Sequence, residues 1–201
     1  WVFKYTFVNQ KFFTQFAMLF GAGVVLMWRR FESRGQSMKQ WYYRRLLVLL
    51  GIGLIHAYLI WDGDILVPYA ICGLVLYPFR KVRPSRLIAL GLALVVLAQV
   101  PMIGVGAALE YIENRAESSR AAIEAGEEVD SSDRQIMTFW EGIEQEIGPS
   151  MVEREVEVMA HGSWLDIVLH RAPNVLGMHL GMMPLMLFWR ISGLMFLGMA
   201  L

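Results

Sequence analysis

The sequence contains a single cysteine and few charged residues. Cys72 is the one thiol among 201 residues, so no intrachain disulfide can form. Charged residues make up 18% of the chain, whereas soluble domains have about 25%. The sequence contains no Cys/His metal spacing, P-loop or G-x-S-x-G motif. We therefore expect no bound metal and no tightly bound cofactor, and we also expect no nucleic-acid partner.

Long apolar runs, separated by charged connectors, dominate the rest of the chain. This pattern is typical of a polytopic membrane protein, in which a spanning helix needs about 20 apolar residues. The fourth run has that length, and flanking Trp, Tyr and Arg residues extend the shorter second run as interface anchors. We therefore predict an all-α transmembrane helical bundle that contacts the lipid bilayer, with about five membrane segments. The runs are 12–28, 46–61, 65–79, 87–109 and 184–201.

The connectors predict how the chain is oriented in the membrane. Loop 29–45 has six basic residues and one acidic residue, and loop 80–86 has four basic residues and no acid. Basic loops stay in the cytoplasm. The turn 62–64 and the segment 110–160 are therefore predicted to be extracytoplasmic.

The sequence predicts three regions. Residues 1–109 would hold membrane helices one to four, including a hairpin over 46–79. Residues 110–160, with fourteen acidic and four basic residues, would form an acidic extracytoplasmic helical segment. Residues 161–201 would form an interfacial or re-entrant segment and the start of a further membrane helix. We expect the chain to be a fragment of a longer protein.

Local signals refine the last two regions. Gly126 is expected to end the first acidic helix. "SDRQ", 132–135, fits a capping box at the start of the next helix. Pro173 is expected to break the helical pattern that precedes the final run. "GMHLG", 177–181, offers small residues for close helix packing.

The stretch "LIHAYLIWDGDILVPYA", 54–70, contains the main candidate site. Asp-Gly is a turn signal, so the second and third runs are predicted to form a tight antiparallel hairpin. Gly63 would be its tip, where a positive φ is expected. His56 would then lie at a depth similar to that of Tyr69 on the other arm. Ionisable groups in membrane segments are costly and usually serve a site or pair with something.

Two interpretations of this stretch remain open. His56 is either a neutral imidazole that is hydrogen-bonded to a neighbouring helix, or a general base or proton relay. An imidazole gains and loses a proton near neutral pH, which suits the second role. Turn solvation explains Asp62, whereas Asp64 opens an apolar helix and its carboxylate suits the helix N-terminus.

The sequence resembles the YeiB family of bacterial inner-membrane proteins, which contain domain of unknown function 418. The resemblance rests on "KFFTQFAMLFGAG" and on "RRLLVLLGIGLIHAYLIWDGDILVPYAICGLVLYPFR" within residues 11–80. The end, "WRISGLMFLGMAL", fits the family more loosely, and the family's N-terminal Leu-Asp-x-x-Arg-Gly motif is absent. The resemblance implies a location in the bacterial inner membrane.

The YeiB family is similar to transmembrane acyltransferases that include heparan-α-glucosaminide N-acetyltransferase. This implies transfer of an acyl group from acyl-CoA, the donor substrate, to an envelope glycan or another hydroxyl acceptor. His56 would accept the hydroxyl proton, Asp64 would orient His56 or the acceptor, and Tyr69 would add a hydrogen bond. The CoA phosphates would be held by Arg29, Arg30, Arg44 and Arg45, although the positive-inside rule also explains these residues. The alternatives are a small-solute transporter with a His/Asp proton relay and a non-catalytic membrane scaffold.

Overall fold

A computed structural model describes residues 10–147 and 149–201, so residues 1–9 of the predicted region 1–109 and residue 148 lie outside the description. Within the described ranges the chain forms helices and turns without strands, which confirms the all-α prediction. The helices are α1 (Gln10–Glu32), α2 (Lys39–Ile55), α3 (Leu66–Leu76), α4 (Pro84–Leu97), α5 (Gln99–Glu124), α6 (Ser131–Ile147), α7 (Pro149–His161), α8 (Trp164–Gly177) and α9 (Phe188–Ala200).

Four helical stretches of the described chain are long and apolar enough to cross a membrane, and the protein is therefore a helical membrane protein. The predicted segment 65–79 is shorter than these four. Its α-helix, α3, ends at Leu76 and continues as a 3₁₀ turn over Tyr77–Lys81. Pro78 has no N–H for an α-helical bond, which accounts for the change. The four stretches are Lys11–Glu32, Lys39–Ile60, Pro84–Glu124 and Trp164–Ala200.

The chain divides into two compact units, of which the first contains Trp1–Pro101 and Arg171–Leu201. Helix α9 forms the centre of this unit and packs against α1 and α4. Glycines make both contacts close. A Cβ on Gly21 of α1 or on Gly198 of α9 would collide with the facing backbone, at the Met195 and Met18 carbonyls respectively. Small residues let membrane helices approach in this way.

The α2–α3 hairpin is held by one close contact and one buried hydrogen bond. A Cβ on Gly53 would lie 2.8 Å from the Val67 backbone nitrogen, so only glycine fits there without a shift. The Tyr42 hydroxyl donates to the Gly73 carbonyl oxygen at 2.6 Å. These contacts fix the position of α3 along α2, and with it the loop that joins them.

The second compact unit is Met102–His170. Gly126 adopts a φ of +80°, and its N–H and that of Glu127 bond back to the carbonyls of Ile123 and Ala122. This left-handed cap ends α5 and confirms the predicted stop. Arg115 forms a two-pronged ion pair with Asp133, at 2.7 and 3.2 Å, which joins α5 to α6 within the unit.

The predicted capping box at 132–135 is wrong. Helix α6 begins at Ser131, and the carboxylate of Asp130 lies at the helix start instead. The Ser132 hydroxyl donates to Asp130 Oδ2 at 2.6 Å, which holds the pKa of Asp130 below its ordinary value. An ionised carboxylate is a stronger acceptor for a helix N-terminus than a hydroxyl, which accounts for the difference.

The break predicted at Pro173 is also absent, because the chain is helical from Trp164 to Ala200. Proline removes one helical hydrogen bond, which membrane helices tolerate. A π-helical stretch, Met178–Leu187, follows α8 and contains Pro184. The predicted packing role of 177–181 is not realised within the described residues, since a Cβ on Gly177 or Gly181 would meet open space.

Candidate functional site

The structure joins His56 to Asp64 at the end of the α2–α3 hairpin. His56 Nδ1 lies 2.9 Å from Asp64 Oδ1. The second carboxylate oxygen, Oδ2, accepts the Val67 N–H at 2.7 Å. A carboxylate oxygen accepts from an imidazole N–H, so in the neutral imidazole this contact places the proton on Nδ1 and leaves the lone pair on Nε2. The Asp64 side chain is fully buried, whereas that of His56 is 28% exposed, so Asp64 is fixed and His56 remains accessible.

Local backbone geometry explains how residues eight positions apart meet. Helix α2 passes into a π-helical turn over His56–Ile60, closed by the Trp61 N–H bond to the His56 carbonyl at 2.8 Å. Such turns are often found at functional sites. The chain then leaves the helix at Trp61, and Asp64 caps the first turn of α3 through Val67. The predicted role of Asp64 at the helix N-terminus is therefore confirmed.

The turn itself differs from the prediction at Gly63. Its φ is not positive, and the described glycines that adopt positive φ are Gly35 and Gly126. Gly63 is small for a different reason, since a Cβ there would lie 2.5 Å from the Trp61 indole. That indole meets the His56 ring edge-on, with ring centroids 6.2 Å apart. Gly63 therefore makes room for the ring that flanks the candidate base.

Tyr69, the third predicted catalytic residue, points elsewhere. Its hydroxyl donates to the Phe13 carbonyl oxygen at 2.8 Å, and its ring packs on Phe13 and Phe20. The Tyr69 hydroxyl therefore links α3 to α1 and does not make the hydrogen bond that was expected at the site. Depth along the hairpin arms did not predict on which face of α3 the side chain lies.

Arg171, which the sequence did not single out, reaches the same loop from α8. Its Nη1 donates to the Ile60 carbonyl oxygen at 2.7 Å, at the end of the π-helical turn that begins at His56. Its Nε lies 3.9 Å from Asp62 Oδ1, beyond hydrogen-bond distance. Arg171 is 9% exposed, and no described residue offers its buried Nε a hydrogen-bond acceptor.

His179, in the π-helical stretch, was also missed. Its ring centroid lies 6.0 Å from that of Tyr58, in the π-helical turn that begins at His56. Its buried Nε2 has no hydrogen-bond partner among the residues that the structure describes. Both His179 and Arg171 are ionisable residues in apolar runs. That pattern alone could have marked them as candidate site residues.

A groove between α1 and α2 holds two of the four predicted phosphate-binding arginines. It has a volume of about 620 Å³ and is lined mainly by apolar side chains, with Arg44 and Arg45 among the lining residues. Arg44 stacks over Trp41, and Arg45 contacts the Met27 sulfur at 3.9 Å. Arg29 and Arg30 are exposed and do not line the groove. Among the described residues, no group of three His, Cys, Asp or Glu side chains is arranged to hold a metal.

The chain is similar to three bacterial proteins, each described as uncharacterized. It is 44% identical to YxaH of Bacillus subtilis over 97 residues, which is 48% of this chain and 24% of YxaH. It is 41% identical over 81 residues to a 39.9 kDa protein from the amylase 3′ region of Bacillus acidopullulyticus, covering 40% of this chain and 23% of that protein. It is 39% identical over 85 residues to YeiB of Escherichia coli, covering 42% of this chain and 20% of YeiB.

The matched stretch amounts to about a quarter or less of each relative's length. No family profile and no solved structure matches the chain. The predicted resemblance to YeiB is confirmed by the match to that protein.

Proposed function

We propose that the protein transfers an acyl group to a hydroxyl acceptor at the hairpin end of the bundle. The observation that carries this proposal is the His56–Asp64 pair, in which a buried carboxylate holds an accessible imidazole by its Nδ1–H. A carboxylate in this position fixes the ring and stabilises the imidazolium that forms when Nε2 takes a proton. This is the arrangement that a general base for a hydroxyl nucleophile needs.

The transfer step balances with acyl-CoA as the donor. His56 Nε2 takes the acceptor's hydroxyl proton while the hydroxyl oxygen attacks the thioester carbonyl. The C–S bond breaks, the ester bond forms, and the imidazolium returns its proton to the leaving thiolate. Asp64 holds the ring in place during the transfer, because its two oxygens bond His56 Nδ1 and the Val67 N–H.

The groove between α1 and α2 could bind the acyl-CoA donor, which would enter from the side of the basic loops. Arg44 and Arg45 would hold its phosphates, and the apolar lining would cover its arm as far as Ile52, one turn before His56. From Arg45 to His56 is about 16 Å along a helix that rises 1.5 Å per residue. The hairpin end would then lie on the extracytoplasmic side of a bacterial inner membrane, where an envelope glycan acceptor is available.

A second candidate function is proton-coupled transport of a small solute. It is favoured by the His56–Asp64 pair together with His179, whose ring lies 6.0 Å from that of Tyr58 in the turn that begins at His56. Ionisable groups placed in sequence through a helical bundle are typical of proton relays. The scaffold alternative predicts neither transfer nor flux.

The test uses inverted membrane vesicles that contain the full-length protein or its His56→Gln variant, with labelled acyl-CoA outside. We expect label in the envelope glycan fraction only with the wild-type protein. Proteoliposomes with a pH-sensitive dye inside provide the second arm. Proton flux without acyl transfer would overturn the acyltransferase proposal in favour of the transporter.

A further inference from the structure

Among the described residues, three buried side-chain atoms have no hydrogen-bond partner, and besides Ser192 Oγ in α9, two of them border the end of the hairpin. They are Arg171 Nε and His179 Nε2. Arg171 contacts Ile60 and approaches Asp62, whereas His179 lies beside Tyr58, so both residues border the loop that holds the His56–Asp64 pair. Leaving a buried donor or acceptor without a partner destabilises the folded protein. Two such atoms lie around one loop. We interpret this as a binding site whose ligand supplies the missing hydrogen bonds.

The two atoms restrict the chemistry of that ligand. Arginine Nε–H is a donor only, so it requires an oxygen or nitrogen with a free lone pair. A protonated amine has no lone pair and cannot satisfy it. The imidazole Nε2 of His179 either donates or accepts, depending on the tautomer. A hydroxyl group, which does both, satisfies either atom.

The local charge argues against an anion. Asp62 and Asp64 oppose the single guanidinium of Arg171, and Asp64 is fully buried. With neutral imidazoles the formal charge of this set is −1, so a phosphate or carboxylate ligand would meet net repulsion in a weakly screened environment. An uncharged ligand meets no such penalty.

We propose that Arg171 and His179 form the binding subsite for the acceptor, and that the acceptor is an uncharged polyhydroxyl compound such as a neutral sugar. This inference rests on the proposed acyl transfer for the role of the ligand, although the binding itself does not. Arg171 Nε donates to one acceptor oxygen while Nη1 holds the end of the His56 turn. Arg171 thereby couples acceptor binding to the position of the base.

The first test measures binding without an acyl donor, by saturation-transfer NMR on the full-length protein in detergent micelles. The probes are methyl α-glucoside and N-acetylglucosamine, both neutral, and glucuronate and glucose 6-phosphate, both anionic. We expect the neutral probes to bind more tightly than the anionic ones. Absence of binding by the neutral probes, or equal or tighter binding of the anionic probes, would overturn the proposal.

Arg171→Lys removes Nε, since lysine has a methylene group at that position and keeps one positive charge near the Ile60 carbonyl. We expect this variant to weaken neutral-probe binding about tenfold, which corresponds to one lost hydrogen bond. Arg34→Lys, in the exposed loop after α1, is the matched control and should bind like the wild type. Unchanged binding by Arg171→Lys would contradict the subsite.

If Arg171→Lys is not monodisperse, His179→Gln tests the subsite instead, with exposed His161→Gln as its control. His179→Gln should weaken neutral-probe binding, and unchanged binding would contradict the subsite. In the transfer assay, both subsite variants should raise the acceptor KM and leave kcat per folded molecule within a few fold. If acyl transfer is absent altogether, the proposed function fails, and the binding measurements still decide whether the subsite exists.

Discussion

At the scale of single residues, the site depends on which nitrogen of the His56 imidazole carries the proton. Asp64 accepts from both His56 and Val67, so its orientation is set by the start of α3 and it fixes the imidazole in turn. The pairing was predictable from the sequence because it is local and spans a short turn. The contact of Arg171 with Ile60 joins positions 111 apart, and no periodicity in the sequence specifies it.

Two loop glycines are expected to respond to substitution in opposite ways. Gly35 has a φ of +64° with open space around it, so Gly35→Ala should cost about 1 kcal/mol of backbone strain. Gly63→Ala should cost less stability, because the exposed Trp61 ring can move aside, but it should displace that ring from His56. Thermal unfolding in detergent measures the first effect and Trp61 fluorescence the second. Greater destabilisation by Gly63→Ala would contradict this account.

At the scale of elements, helix packing in the first unit depends on which glycines face a neighbour. The sequence predicted close packing at 177–181 and not at Gly21 or Gly198, since hydrophobic periodicity does not show which glycines face a neighbouring helix. Gly21 contacts the α9 backbone, whereas Gly23, two positions on, meets open space. Neither the length of α3 nor the continuity through Pro173 was predicted, because neighbouring helices decide how much distortion proline causes.

Gly21→Ala and Gly23→Ala therefore form a matched pair within α1. Gly21→Ala forces α1 and α9 apart and should destabilise the protein by about 1–3 kcal/mol. Gly23→Ala should be neutral or stabilise by about 0.5–1 kcal/mol, as alanine does in a helix interior. The yield of monodisperse protein after graded heating reports both effects. A similar fall in the yield of monodisperse protein for the two variants would argue against the α1–α9 contact.

A second matched pair tests the end of α5. Gly126→Ala places a Cβ on a residue with a φ of +80° and should cost about 1–2 kcal/mol. Gly142 lies inside α6 with open space around it, so Gly142→Ala should stabilise the helix slightly and slow the exchange of its amides. Hydrogen–deuterium exchange of the amides of α5 and α6 in the full-length protein measures both changes. Unaltered exchange at the end of α5 in Gly126→Ala would contradict the left-handed cap.

At the scale of the whole molecule, the basic loops predict the sidedness that the function requires. Cysteines introduced at the exposed Ser37 and Ser131 should label from opposite sides of the membrane. An impermeant maleimide should reach position 131 in intact spheroplasts and position 37 only after lysis. Buried Cys72 should stay unlabelled and is replaced by serine as a control. Labelling of both positions from one side would refute the predicted topology.

The central claim is that His56 and Asp64 act as one catalytic unit. The most direct measurement is acyl turnover per monodisperse full-length molecule for His56→Gln, Asp64→Asn, the double variant and, as the control, Asp62→Asn. An asparagine at 64 can still cap α3, but its amide would turn a proton of His56 toward Nε2 and remove the base. We expect each single variant to lose a factor of about 10²–10⁴, and the double variant to lose no more than the worse single one. Asp62→Asn should stay within a few fold of wild type. Turnover of His56→Gln within a few fold of wild type would contradict the claim and make His56 a packing residue.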